Sequence, residues 1–173
     1  TRDNFDLGMA RSQSYPCYPP YGIALLSTQL ENRGYRTRLV DLNFELMMQA
    51  NTLSPNIFNY DHAWQEKLKN ALGEFRPDLI GVTCMYTMIH PSMDAVVDFI
   101  RNRGITTPII AGGAHPALAA EEVLRKSSHI DFVSLFESDR SFPAFVDYIN
   151  GKAEKNELTQ IATLVDDRVI SLT

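Results

Sequence analysis

The sequence predicts an α/β fold with a doubly wound, mainly parallel sheet and a C-terminal β-hairpin. Three observations lead there. Short β-branched or aliphatic runs alternate with stretches of helical period; the runs are apolar throughout, as strands covered on both faces are; and glycine or proline marks most changes of element. With 173 residues, 45% of them hydrophobic and 21% charged, the chain has the composition of one globular domain.

Ile23, Leu26 and Leu30 recur at helical spacing after Pro19-Pro20-Tyr21-Gly22, and Gly34 supplies a stop. Residues 36–42 read as a strand ending near Asp41, with Asn43 opening a loop. Residues 44–50 read as a short helix, and 51–60, with Pro55 and several asparagines, as an irregular connection. Trp64, Leu68, Ala71, Leu72 and Phe75 mark the next helix, which Pro77 closes by pushing the residue before it out of helical geometry. A buried strand over 79–84 follows. Met93, Val96, Val97 and Ile100 then give the clearest helical stripe, with Pro91 near its start and Gly104 past its end. Residues 108–111 form a strand running into Gly112-Gly113, 116–126 a helix, and 132–135 a strand. Phe142, Phe145, Val146 and Ile149 mark the last helix, with Pro143 in its first turn and Gly151 at its end. Residues 161–165 and 169–172 flank Asp166-Asp167-Arg168 as a hairpin. Residues 1–16 hold no run fit for a central parallel strand, so the first strand is expected upstream.

The formal net charge of −5 and the lack of a Lys/Arg cluster argue against nucleic acid. No apolar run reaches the length of a membrane span, and the start has no signal-peptide pattern. Cys17 and Cys84 are too few and too isolated for a disulfide framework or a metal site, which fits a reducing, cytoplasmic setting. Walker-type and Gly-x-Gly-x-x-Gly phosphate signatures are absent.

In open parallel sheets ligands bind beyond the carboxyl ends of the strands, which directs attention to the loops at 15–22, 41–43, 83–90, 112–116 and 136–141. Gly112-Gly113 lets a bulky ligand lie against the main chain while the next helix offers amides, or simply makes a tight turn. Thr83 and Thr87 offer hydroxyls to the same cleft, although threonine is also common in buried strands. Cys84 reads first as a small core residue. His90 and His115 both precede prolines at helix entrances, where capping or surface roles are favoured over metal ligation. The paired acids Glu121-Glu122 and Asp166-Asp167 do not form acid/base couples, because neighbours on a helix point apart and hairpin turns select Asp for its backbone.

Taken in order, these motifs resemble those of the cobalamin (B12)-binding domains that precede radical-SAM domains in class B methyltransferases and related enzymes. Tyr18-Pro19-Pro20-Tyr21-Gly22-Ile23 resembles the Pro-Pro-Leu-Gly loop of that family. Asn32-Arg33-Gly34-Tyr35 with Val40-Asp41-Leu42-Asn43 resembles its second strand and the approach to it, and 76–84 its third strand and ligand loop. Gly112-Gly113-Ala114-His115-Pro116 resembles its Gly-Gly-Pro-His-Pro loop, and Ile130-Asp131-Phe132-Val133 the strand after it. The final hairpin resembles its connector. Two departures stand out: Phe136-Glu137-Ser138-Asp139 replaces Gly-Glu-Gly-Glu, and Tyr21 replaces an aliphatic residue. The Asp-x-His-x-x-Gly signature of the methionine-synthase type is absent.

The resemblance implies a flavodoxin-like domain over 1–152 and a connector over 153–173 leading to a radical-SAM domain of the same polypeptide. It implies cobalamin with its nucleotide tail extended into the cleft and no histidine on cobalt, and in the intact enzyme a [4Fe–4S] cluster and S-adenosylmethionine. The residues it points to are Tyr21, Gly22, Thr83, Cys84, Thr87, Gly112, Gly113, His115 and Glu137, with the isolated chain binding rather than catalysing. The alternatives are a domain of this family that has lost cobalamin and serves for docking, and a flavodoxin-like sugar-nucleotide-binding domain.

Overall fold

Three helices begin where a short polar side chain precedes an apolar run. Asp6 accepts the Met9 amide at 2.8 Å to start α1 (Leu7–Arg11), Asp41 accepts that of Phe44 at 2.9 Å to start α3 (Leu42–Thr52), and Asn59 accepts that of His62 at 2.9 Å to start α4 (Tyr60–Phe75). Between the first two lies α2 (Tyr21–Asn32). The computed structural model describes residues 2–12, 15, 17–127 and 129–172.

After α4 the chain alternates as expected. The order is β1 (Ile80–Thr83), α5 (His90–Arg101), β2 (Ile109–Gly112), α6 (Ala114–Leu118), α7 (Ala120–Lys126), β3 (Phe132–Ser134), α8 (Ser138–Ile149), β4 (Ile161–Val165) and β5 (Arg168–Leu172). The sheet order follows the chain, with β1, β2 and β3 parallel and the β4–β5 hairpin added antiparallel to β3. The carboxyl ends of β1, β2 and β3 therefore share one edge.

Period-two burial divides the core. Cys84, Ile109, Ala111, Val133 and Ala162 face α4, α5 and α7, while Ile110, Ile161 and Leu172 face Phe145 of α8. The α2 helix lies on the α8 side: Arg33 pairs with Asp147, and the Tyr35 hydroxyl donates to Asp147 at 2.7 Å. These contacts bring the C-terminal ends of α2 and α8 together.

Three expectations need correction. Residues 36–42 form no strand: Leu42 and Asn43 already belong to α3, and the segment finds no ladder partner among the described residues. The helix expected over 116–126 is broken at Ala119. In one continuous helix His115 and Leu124 would point to roughly opposite sides, whereas the break lets both be buried. Pro143 sits in the second turn of α8, not the first; the amide it lacks would have met the carbonyl of exposed Asp139, which solvent can satisfy. By contrast, α4 closes as expected before Pro77: the residue preceding the proline, Arg76, leaves right-handed helical geometry at φ 50°.

Among the described residues, no helix is long and apolar enough to cross a membrane.

Buried Glu45 shows how α3 is fixed to α4. Its carboxylate accepts from Gln49 at 2.9 Å and pairs with Lys67 at 3.1 Å. The Gln49 hydrogen bond first, and then Lys67, hold its pKa below the ordinary glutamate value against the opposing effect of burial. A lowered folded-state pKa gives stability that is full above the unfolded value and is lost as pH falls through the folded one. Glu45→Gln is therefore expected to cost about 1 kcal/mol in urea unfolding at neutral pH. The gap to the wild type should close below about pH 4.

Candidate functional site

The turn after β2 lies directly against the end of β1. The Cys84 amide donates to the Gly112 carbonyl at 3.0 Å, and the His115 amide donates back to the Cys84 carbonyl at 3.2 Å. Gly113 lies between them at φ 97° and ψ 174°, a region essentially confined to glycine. A Cβ there would stand 2.7 Å from the Cys84 oxygen and 3.0 Å from Thr83 Oγ1. Thr83, Gly112 and Gly113 thus share one narrow space. Gly112 also adjoins Ser134 at the end of β3, where a Cβ on the glycine would lie 3.8 Å from the serine's own Cβ.

The expectation that the helix after Gly113 offers amides to a ligand needs revising. Its His115 amide is already given to Cys84, and Pro116 has none to give. The tightness of the turn leaves no free space between Gly113 and the end of β1; what it brings to the edge is the Thr83 hydroxyl beside it.

The reading of His90 and His115 as caps or surface residues does not hold. The His115 side chain is buried, its Nδ1 lies 3.2 Å from Thr87 Oγ1, and its Nε2 contacts His90 Nδ1. His90 Nε2 in turn reaches Asp94 Oδ2 at 3.1 Å. Both nitrogens of both rings are thus engaged by protein atoms.

Cys84 is buried, and its Sγ donates to the Tyr86 carbonyl at 3.4 Å. Burial, helped by the charge of Asp94, pushes its thiol above the ordinary pKa, so it packs as a neutral thiol and contributes to the site through its backbone. Cys17 is exposed, and neither cysteine forms a disulfide.

Phe136 keeps the backbone that glycine would adopt, at φ 55°, with its ring 69% exposed. Glu137 precedes α8 without a side-chain cap bond, so its carboxylate stays outside the helix start. Tyr21 is exposed, and a Cβ on Gly22 would meet nothing within 4 Å. Ser134 and Ser138, whose hydroxyls meet at 2.8 Å beside Gly112, escaped the sequence reading, as did Asp94. The i,i+4 spacings Ser134–Ser138 and His90–Asp94 were the only signals available for them.

Exposed apolar side chains gather at the same edge. Met85, Tyr86 and Met88 follow β1, Leu118 ends the turn after β2, Phe136 follows β3, and Tyr21 opens α2. Among the described residues, no group of three or more His, Cys, Asp or Glu side chains is placed to hold a metal ion.

The model of one family, the B12 binding domain, matches residues 9–146. The chain belongs to that family. Two curated relatives extend the comparison. The chain is 31% identical over 111 residues to tryptophan 2-C-methyltransferase from Streptomyces laurentii, covering 59% of this chain and 16% of that protein. It is 24% identical over 151 residues to cytidylyl-2-hydroxyethylphosphonate methyltransferase from Streptomyces wedmorensis, covering 84% of this chain and 27% of the relative. It therefore spans well under a third of either protein's length.

Among solved structures, the radical S-adenosylmethionine methyltransferase TsrM from Kitasatospora setae, with cobalamin and a [4Fe–4S] cluster bound, superposes with a TM-score of 0.71 at 17% identity. That match covers 91% of this chain and 26% of TsrM. At this identity it establishes a shared fold.

As a B12-binding domain, the chain depends on the closeness of its β1 and β2 ends. Gly113→Ala is expected to lose about 2–3 kcal/mol in chemical denaturation. Gly22→Ala, with open space around it and a helical backbone, should be neutral or slightly stabilising.

Proposed function

We propose that this domain holds cobalamin across the carboxyl edge of β1, β2 and β3, with the nucleotide tail extended into a cleft that Thr83, Thr87, Gly112 and Gly113 line. The observation that carries this reading is the Gly113 turn, where backbone approaches backbone with no space for a side chain while the hydroxyls of Thr83 and Thr87 stand alongside. The exposed rings and thioethers of Tyr21, Met85, Tyr86, Met88 and Phe136 supply an apolar rim for the flat corrin, a use that accounts for so much uncovered apolar surface at one edge. With both histidines engaged inside the protein, the cobalt receives no imidazole from them.

The intact protein is proposed to be a radical-SAM enzyme of methyltransferase type, in which residues 1–152 bind the corrinoid and 153–173 lead toward the cluster-bearing domain. Bound cobalamin supplies a cobalt able to carry a methyl group. The chain's own part is to orient the cofactor and to limit water around it. The first strand expected from the sequence is assigned to the free edge of β1. There no described strand pairs with β1, so one added strand would extend the ladder.

Adding hydroxocobalamin to the intact protein and recording visible spectra tests the assignment. A saturable spectral change with near 1:1 stoichiometry supports it, and its absence refutes it. Phe136→Gly should raise stability by about 1 kcal/mol by relieving the left-handed backbone. The same change should weaken cobalamin binding by about three- to tenfold, because the ring that rims the corrin is lost. Stability gained with affinity unchanged would remove Phe136 from the site.

A further inference from the structure

At the end of β1 one line of contacts runs from solvent into the protein and back to a carboxylate: Thr87 Oγ1 to His115 Nδ1, His115 Nε2 to His90 Nδ1, and His90 Nε2 to Asp94 Oδ2. Neither a tight turn nor an apolar rim requires it. We propose that this line is a proton-operated polarity switch, in which a single proton taken up by the His90–His115 pair turns the Thr87 hydroxyl from an acceptor into a donor toward the nucleotide tail of the bound corrinoid. The inference rests on the cobalamin reading and assigns that site a mode of regulation.

The logic is a matter of counting protons along the line. Ionised Asp94 can only accept, so His90 must donate from Nε2, and when neutral it must accept at Nδ1. His115 then donates from Nε2 and accepts at Nδ1, which draws the Thr87 proton inward. In this state exposed Thr87 offers only oxygen lone pairs to the cleft.

One proton from solvent reverses that outcome wherever it settles. On His115, both ring nitrogens donate, and Thr87 Oγ1 accepts from Nδ1. On His90, Nδ1 donates to His115 Nε2; His115 then carries its own proton on Nδ1 and again donates to Thr87. Either way the Thr87 hydroxyl proton is released toward the cleft. The added positive charge and the new donor act in the same direction, both favouring the phosphodiester of the nucleotide tail, which can only accept.

The surroundings suit such a device. Asp94 Oδ1 is buried with no hydrogen-bond partner, and Oδ2 of the same carboxylate lies 3.1 Å from His90 Nε2, where a ring N–H is favoured over a lone pair. Glu122 on α7 interacts electrostatically with both histidines and is also bonded to Lys126. The Cys84 thiol, which the Asp94 charge helps keep protonated, and the exposed Tyr86 phenol are further titratable groups at this end of β1.

The test compares two ligands in the intact protein: methylcobalamin, and methylcobinamide, which lacks the nucleotide tail. Equilibrium dialysis from about pH 5.5 to 8.5 spans the range in which imidazoles exchange their proton. Wild-type protein should bind methylcobalamin about three- to tenfold more tightly at the acid end, the worth of one hydrogen bond. Methylcobinamide should show no such slope. Thr87→Val should lose the larger part of the slope and keep only the part due to the added charge, and Thr87→Ser should restore it in full.

Imidazole ¹⁵N spectra of the unliganded protein supply a second readout. Both histidines should carry their proton on Nε2 at alkaline pH, and the pair should take up one proton as a unit. An undiminished slope in Thr87→Val, the same slope with methylcobinamide, or an Nδ1 proton at alkaline pH on either ring would each overturn the switch while leaving cobalamin binding intact. Failure to bind methylcobalamin at any pH would instead remove the cobalamin reading, and the switch with it.

Discussion

The structure turns on one close approach of backbone to backbone. The turn after β2 folds over the end of β1 so tightly that Gly113 touches the Cys84 carbonyl, with hydrogen bonds on either side of the contact. Only a residue without Cβ fits, and only at the backbone angles Gly113 adopts. From this contact follow the nearness of Thr83 to Gly112 and the spending of the His115 amide on Cys84. It also carries the His115 ring under the loop after β1, where it meets Thr87 and His90.

The two edges of the sheet are treated differently. Beyond β3, the β4–β5 hairpin continues the ladder antiparallel and places Ile161 and Leu172 against Phe145, so that side is closed by the chain itself. Beyond β1 no described strand continues the ladder, and the exposure of Gly81 and Thr83 marks where cover is lacking. The parallel trio between these edges holds the ligand-facing loops at a common level, as crossover connections require. A loop that tolerates Phe136 at positive φ shows that the fold imposes its backbone there even without glycine.

Both the sequence match and the fold match cover most of this chain but well under a third of each whole protein compared. A binding module of this kind divides the work. Rigid strand ends fix the position of a cofactor, and reactivity comes from the cofactor and from whatever domain faces it.

The amino-acid pattern alone determined the alternation of elements, most helix positions, the terminal hairpin and the glycine turn, because hydrophobic period and glycine or proline punctuation are local properties. The ordered motifs around Pro19-Pro20, Val40-Asp41 and Gly112-Gly113 also sufficed to point to cobalamin. Only the tertiary structure decided the rest. Residues 36–42 have strand composition but pair with no strand, because a strand exists only through its neighbour. His90 and His115 read singly as caps or surface groups, and Asp94, Ser134 and Ser138 drew no notice; the two histidines, 25 positions apart, meet only when β1 and β2 lie side by side. Hydrogen bonds between side chains reach about 3 Å, and no local pattern in a chain encodes which distant residues will come that close.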